Sequence, residues 1–255
     1  MNRKYANWVG KHVWVIGASS GIGAATATLL LDRGAHVALS ARNQGALDAL
    51  CFGQPRALAQ ALDITQHASV LQACNAILAA WSRIDLVLIV AGGYNEMRAD
   101  CFDLAAANRL IDLNLRGVFN CLDVVLPILL KQGAGGLGIV ASVAGYGGLP
   151  KALVYGPTKA ALINLTESLY FDLHPRGIDV YQINPGFVET ALTAGNDFKM
   201  PALMSAPDAA RALVRAIELG QFHIHFPKRF TNSMRVARLL PYRLYFWLVR
   251  KMTGL

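Results

Sequence analysis

Charge is scarce in this sequence. Asp, Glu, Lys and Arg make up 16% of its 255 residues, against roughly 25% in soluble domains generally. With 54% hydrophobic residues and no low-complexity tract, that scarcity excludes a disordered chain. The four cysteines, Cys51, Cys74, Cys101 and Cys121, show neither CxxC nor Cys/His spacing. Free thiols are therefore expected, without disulfides or zinc. No apolar run reaches the roughly 18 residues of a membrane-spanning helix. The first eleven residues carry Arg3, Lys4 and Lys11 and no apolar core, unlike a secretory signal, so a cytoplasmic protein is expected. Internal repeats and Pro/Ser-rich linkers are also missing. That leaves one main domain over 1–226, with the remainder, 227–255, as an extension.

Acid is absent from one region. The net charge is +8, yet no Asp or Glu follows Glu218. Beyond it stand Lys228, Arg229, Arg235, Arg238, Arg243, Arg250 and Lys251, so the body is within one charge of neutral and the tail is basic. This distribution disfavours a nucleic-acid groove and leaves room for a local anionic partner of the tail.

Short β-rich runs over 12–16, 35–40, 57–62, 84–90, 136–142, 178–184 and 222–226 alternate with helical patterns over 21–33, 66–82, 102–131, 151–174 and 206–220. Strands alternating with helices predict βαβ units around a parallel sheet covered on both faces. The near-continuous apolarity of Val87, Leu88, Ile89 and Val90 fits doubly covered strands.

The first strand runs into Gly17-Ala18-Ser19-Ser20-Gly21-Ile22-Gly23 and then a helix. Glycines let backbone turn tightly and approach a pyrophosphate, while the helix N-terminus offers free N–H groups. A glycine-rich loop alone is weak, but strand before and helix after are the context that a dinucleotide site requires. Further along come Ala91-Gly92, Asn114, Ser142, Tyr155 with Lys159, and Asn184-Pro185-Gly186, in that order.

These motifs together resemble the short-chain dehydrogenase/reductase family over residues 10 to about 226. The resemblance implies a single-domain, Rossmann-like, doubly wound α/β fold of about seven parallel strands. It also implies a nicotinamide cofactor and a homodimer or homotetramer that pairs the long helices. Within it, Gly17, Ser19, Ser20, Gly21, Ile22, Gly23, Ala91, Gly92, Pro185 and Gly186 would hold the cofactor, and Val188 and Thr190 would hold its carboxamide. Where an NAD-type relative carries an acid after the second strand, Ala41 stands instead, followed by Arg42. An arginine can grip a 2′-phosphate in two places, so NADP(H) is expected, with Ser19 or Ser40 assisting; the plain alternative is a solvated loop arginine. Asp63 opens Asp-Ile-Thr-Gln, a capping-box pattern, and the resemblance adds a contact to adenine.

Tyr155 and Lys159 lie four apart and share a helix face. Reduction of a carbonyl needs a proton donor, and a phenol near pKa 10 is sluggish at neutral pH. Lowering it by three units costs about 4 kcal/mol, which one cation about 4 Å away at an effective dielectric near 20 could supply. Lys159 would be that cation, helped by the positive nicotinamide in the oxidised complex, and the resemblance also gives it the nicotinamide ribose. Ser142 would hold the substrate oxygen, or simply cap a turn. Asn114 is an awkward mid-helix residue; in relatives the matching residue opens the helix and holds a relay water, the alternative being a helix-packing role.

The sequence departs from the family at Ile16, where a Thr is usual, and at Ile89-Val90, where two Asn are usual. An apolar replacement of the lost brace is expected, with Ile16 against Val90. His223 and His225 share a strand face but no third ligand is indicated, so half-exposed strand positions explain them and no metal is expected.

A long connection over 187–205 carries Val188, Leu192, Phe198, Met200, Leu203 and Met204. It suggests a lid over a lipophilic carbonyl or alcohol, lined also by Tyr94, Tyr146 and Leu149, or a segment that merely packs on its own core. In the tail, Pro241 fits a helix start. Arg243, Trp247, Arg250 and Lys251 would face one way, Leu244, Tyr245, Leu248, Val249 and Met252 the other. A basic amphipathic helix suits peripheral contact with a membrane; packing on the pocket or on a partner subunit is the alternative. The functional expectation is an NADP(H)-dependent carbonyl reductase. The other reading is a non-catalytic NADP(H)-binding protein, redox-responsive or recruited to membranes.

Overall fold

Seven short apolar runs pair side by side as strands: β1 (His12–Ile16), β2 (His36–Ser40), β3 (Ala57–Ala59), β4 (Leu86–Ile89), β5 (Gly135–Val140), β6 (Ile178–Pro185) and β7 (His223–Phe226). In the computed structural model, which describes residues 1–195 and 200–253, they form one sheet in the order β3-β2-β1-β4-β5-β6-β7. Every pairing is parallel. The order reverses between β1 and β4, and such a switch point opens a crevice at the carboxyl ends of the strands.

Both faces of the sheet are buried, which is why its strands lack polar alternation. Trp14, Ile16, Val87 and Ile89 face one layer, with Ile77 of α3 (His67–Trp81) and Val125 of α5 (Gly117–Gln132). Val13, Val15, Leu86 and Leu88 face the other, with Leu30 of α1 (Gly21–Asp32) and Leu213 of α7 (Ala206–Glu218).

Several boundaries differ from the sequence pattern. The strand expected over 57–62 is regular only to Ala59, although Gln60 and Leu62 still donate to the Leu39 and Ala41 carbonyls at 3.0 Å each. A short helix, α2 (Gln44–Cys51), went unforeseen because it buries only Leu47; Asn43 caps it, accepting from the Ala46 amide at 3.1 Å. The helix expected over 102–131 is divided into α4 (Leu104–Ile111) and α5 by one π-helical turn, Asp112–Arg116. Although charged residues interrupt its apolar run, the stretch Leu104–Gln132 is long and apolar enough to cross a membrane by length and composition, its most apolar 18 residues having a mean hydropathy of 1.6. Its Val118, Cys121, Val125 and Leu129 instead pack into the core on the sheet. The helix expected from 151 begins at Tyr155 as α6 (Tyr155–Leu173), since Lys151 has a positive φ of 61°.

The tail holds two helices rather than one. α8 (Lys228–Arg238) follows β7 directly and buries Thr231, Met234 and Ala237; α9 (Tyr242–Thr253) buries Tyr245 and Val249.

Candidate active site

The loop after β1 is tied to the end of β2: the Gly17 and Ala18 amides donate to the Ser40 carbonyl at 2.7 and 3.0 Å. Only glycine fits at two points. Gly17 has φ +97°, and a Cβ there would overlap the Ala91 amide; at Gly23 a Cβ would overlap the Gly17 carbonyl oxygen. Ser20, extended, precedes α1 without a side-chain cap. The first amides of a twelve-residue helix therefore remain available to an anion.

This loop floors a cavity of about 1090 Å³ at the carboxyl ends of the strands, just above the roughly 300–1,000 Å³ usual for small-molecule sites. The structure brings Gly17, Ser19 to Gly23, Arg42, Ala91, Gly92, Pro185, Gly186, Val188 and Thr190 to its wall, together with Ser142, Tyr155 and Lys159. Arg42 is exposed, and among the described residues no carboxylate pairs with it. A glycine-lined floor, helix amides and a cation at the far end of β2 fit a nicotinamide dinucleotide.

Two expected cofactor residues lie elsewhere. Ser40 is fully buried and accepts from Trp14 Nε1 at 2.9 Å, so its hydroxyl serves the core. Asp63 does not line the cavity, whereas its neighbours Leu62 and Ile64 do. Nor does it cap α3: its Oδ1 accepts from Thr65 N and Oγ1 at 2.9 and 2.8 Å in a local turn, and the helix starts only at His67.

Lys159 lies one turn after Tyr155 on α6. Its ammonium is buried, donates to the Val140 carbonyl at 2.9 Å and lies 5.7 Å from the centre of the Tyr155 ring. Burial lowers the Lys159 pKa to about 8. Burial also raises that of Tyr155; the Ser142 hydrogen bond opposes this and Tyr94, edge-on at 5.2 Å, adds to it. Without a cofactor, then, both groups lean towards their neutral forms. The expectation that Lys159, helped by the positive nicotinamide of the oxidised complex, lowers the phenol concerns the cofactor-loaded protein; in the cofactor-free protein desolvation is the largest influence on Tyr155.

Ser142 stands just beyond β5, extended, and its Oγ accepts from the Ala144 amide at 3.1 Å. The same oxygen caps a turn, as the plainer reading had it, and touches Tyr155.

Asn114 lies in the π-helical turn and is fully buried. Its Oδ1 accepts from Gly93 N at 2.7 Å, while Nδ2 donates to Gly93 O at 2.9 Å and Thr158 Oγ1 at 3.2 Å. The wider turn turns the amide away from its own helix, so the side chain clamps the segment after β4 to α6. Gly92 sits in the gap, where a Cβ would lie 3.2 Å from Lys159 Nζ and 3.3 Å from Asn114 Oδ1.

The replaced brace is not the expected one. Ile16 belongs to one core layer and Val90 packs against the other, so the two side chains lie on opposite faces of the sheet. Ile16 instead pairs in register with Ile89 in the same layer. Backbone bonds complete the link, with the Val90 and Ala91 amides donating to the Ile16 carbonyl at 2.8 and 2.9 Å.

On the substrate side, Tyr94, Leu149, Phe187 and Leu192 line the cavity, and Val188 bridges to Met204. Phe198 lies outside the described residues. Tyr146 turns away from this cavity to bond His223 Nε2 at 2.8 Å. His223 also meets Asn184 Nδ2 at 3.0 Å, and buried His225 meets Thr231 Oγ1 at 2.6 Å. Burial, with nearby Arg235 and Lys228, lowers both histidines to about 4. His223 is the half-exposed strand position expected, whereas His225 is buried.

Sequence reasoning missed Thr158, whose Oγ1 also donates to the Tyr155 carbonyl at 2.8 Å, and the α8 residues Phe230 and Met234 that wall the cavity. Thr158 carried a signal, since i+3 from Tyr155 is one helical turn. Phe230 and Met234 carried none that located their partner. Leu248 of α9 also lines the cavity, as the alternative of a tail packed on the pocket expects.

The family profile for short chain dehydrogenases matches residues 11–200. The chain is a short-chain dehydrogenase. An uncharacterized oxidoreductase of Myxococcus xanthus is 35% identical to it over 91% of this chain and 93% of that one. One from Staphylococcus epidermidis is 34% identical over 80% of this chain and 89% of its own. Among solved structures, the 3-ketoacyl-(acyl-carrier-protein) reductase of Brucella melitensis, crystallised with NADH, superposes with a TM-score of 0.78 at 25% identity, over 86% of this chain and 97% of that one. The protein is therefore an oxidoreductase of this family, its sheet superposing on that of the solved reductase, with a nicotinamide cofactor as the family's redox partner.

Proposed function

We propose that this dehydrogenase is an NADP(H)-dependent reductase of a lipophilic ketone or aldehyde. One observation carries the reading: a single cavity holds Ser142, Tyr155 and Lys159 at one end and, at the other, Arg42, with which no carboxylate pairs among the described residues. Arg42 and the Ser19 hydroxyl would hold the 2′-phosphate, and the α1 amides the pyrophosphate. Lys159 would hold the nicotinamide ribose, and Val188 and Thr190 its carboxamide. When bound, the reduced dinucleotide supplies the hydride.

The protein's own residues manage the proton. Ser142 donates a hydrogen bond to the carbonyl oxygen and orients it. Tyr155 holds a proton on its phenol and passes it to that oxygen as the carbonyl carbon gains the hydride, giving an alcohol. The Lys159 ammonium, on the same helix face as the phenol, stabilises the phenolate left behind by Coulomb attraction. With its pKa near 8, Lys159 can also return the proton to Tyr155. Leu149, Phe187, Leu192 and Met234 make the substrate end apolar.

The family resemblance makes a homodimer or homotetramer the expected assembly. Phe119 on α5 and Phe171 on α6 are exposed large side chains on the two long helices that would pair. NADPH consumption against carbonyls from short aldehydes to long-chain and cyclic ketones tests the function. Turnover should rise with chain length and vanish in Tyr155→Phe. Absence of turnover across the panel with tight NADPH binding would favour the non-catalytic reading instead.

A further inference from the structure

α9 has two working faces. Tyr245 and Val249 are buried, and Tyr245 donates through its hydroxyl to the Gly148 carbonyl at 2.8 Å, so the helix is fixed on the body before it meets anything else. Leu248 and Met252 line the main cavity, and Met252, half exposed, stands at its rim. The two alternatives weighed from sequence thus apply to opposite faces, and the division between them shifts: Leu244 and Met252 join the exposed side.

The outward side of α8 and α9 is unlike the rest of the surface. Val236, Leu239, Tyr242, Leu244, Phe246 and Trp247 are each more than half exposed within twelve residues of chain. Isolated apolar side chains at a surface need no explanation, but a contiguous set marks an interaction site. Cations are interleaved with them. Arg238 lies 5.7 Å from the Tyr242 ring and Lys251 5.2 Å from the Trp247 ring. No carboxylate follows Glu218, and among the described residues none pairs with any cation from Lys228 onward.

We propose that this face docks the protein on an anionic lipid bilayer, with the cavity rim turned to the lipid. Tryptophan and tyrosine favour the headgroup boundary, aliphatic side chains the first few ångströms of acyl chain, and arginine and lysine the anionic headgroups. The charge argues against the other occupants. A second copy would bring the same uncompensated cations against each other, and a nucleic acid would leave Leu239 and Leu244 without an apolar partner. Because Met252 belongs both to the exposed face and to the cavity wall, a lipophilic molecule could pass from bilayer to cavity without crossing water. That consequence rests on the function proposed above; the docking does not.

The full-length protein is floated with vesicles of phosphatidylcholine alone and of phosphatidylcholine with phosphatidylglycerol. Binding is expected only to the second, weakened by high salt as exposed charges are screened. Phe246→Ser with Trp247→Ser, and separately Arg243→Glu with Arg250→Glu, should each weaken it by about tenfold or more. None of these four residues is buried or lines the cavity, so melting temperature and NADPH binding should stay as they are. Emission should shift to the blue on adding anionic vesicles, and the shift should disappear in Trp247→Phe. Failure to float with anionic vesicles, or equal flotation of the variants, overturns the proposal. It also falls if the wild type forms an oligomer that these substitutions dissolve, because the face would then belong to a second copy. Loss of turnover with flotation intact would instead count against the proposed reaction.

Discussion

Asn114 and Gly93 are joined by a reciprocal pair of hydrogen bonds, amide to carbonyl in both directions, at 2.7 and 2.9 Å. A side chain on a π-helical turn thus stands in for a neighbouring strand, just beyond the end of β4, and fixes the backbone on which the cavity wall rests. Asn114→Ala leaves the Gly93 amide and carbonyl without these partners. A buried unpaired group costs about 1–3 kcal/mol, so a lower melting temperature is expected, together with reduced kcat. Unchanged stability in denaturant titrations would show that Asn114 is not a clamp.

Tyr155→Phe removes one oxygen at the floor of the cavity. Turnover should fall to background while NADPH affinity, read from its fluorescence, changes little. If NADPH binding vanishes as well, the phenol holds the cofactor rather than the proton.

Lys159 gives a pH dependence with a definite sign. Its folded pKa, about 8, lies below the ordinary 10.5, so the unfolded chain binds more protons between those values. Folding is therefore penalised below about 8, and the penalty is relieved as pH rises towards 10.5. The gap corresponds to about 3 kcal/mol as an order of magnitude. Lys159→Met should make the cofactor-free protein more stable at neutral pH, flatten that rise and abolish turnover. A variant less stable than wild type at neutral pH would contradict this account.

Arg42→Ala should erase a preference for NADPH over NADH. A charge-assisted bond of about 1.5–3 kcal/mol corresponds to about 10- to 100-fold in the ratio of kcat/KM values. An unchanged ratio would mean that Arg42 is only a solvated loop residue.

Ile16 and Ile89 face each other across β1 and β4 in one core layer. Ile16→Thr or Ile89→Asn alone buries a polar group without a partner and should cost about 1–3 kcal/mol. The double variant should recover part of that, because hydroxyl and amide can then bond each other. A double-mutant cycle with no coupling would show that the two positions do not meet.

Much of this was legible in the sequence. The alternation of apolar runs with helical patterns determined a parallel sheet, because strands buried on both faces cannot alternate polar and apolar residues. The spacing of Gly17, Gly21 and Gly23, and of Tyr155 and Lys159, placed the two ends of the cavity, because backbone geometry over a few residues is local. Other features were decided only by tertiary structure. Ser40 and Ser142 are alike as sequence, but one points into the core to Trp14 and the other to Tyr155. Ile16 meets Ile89 rather than Val90, because neighbouring residues on a strand face opposite layers and only the register decides which neighbour it is. Burial of Tyr155 and Lys159, which sets their protonation, depends on what the rest of the chain lays over them. The tail's amphipathic character was in the sequence, whereas the choice of Tyr245 and Val249 as its inward side came from the shape of the surface it packs on.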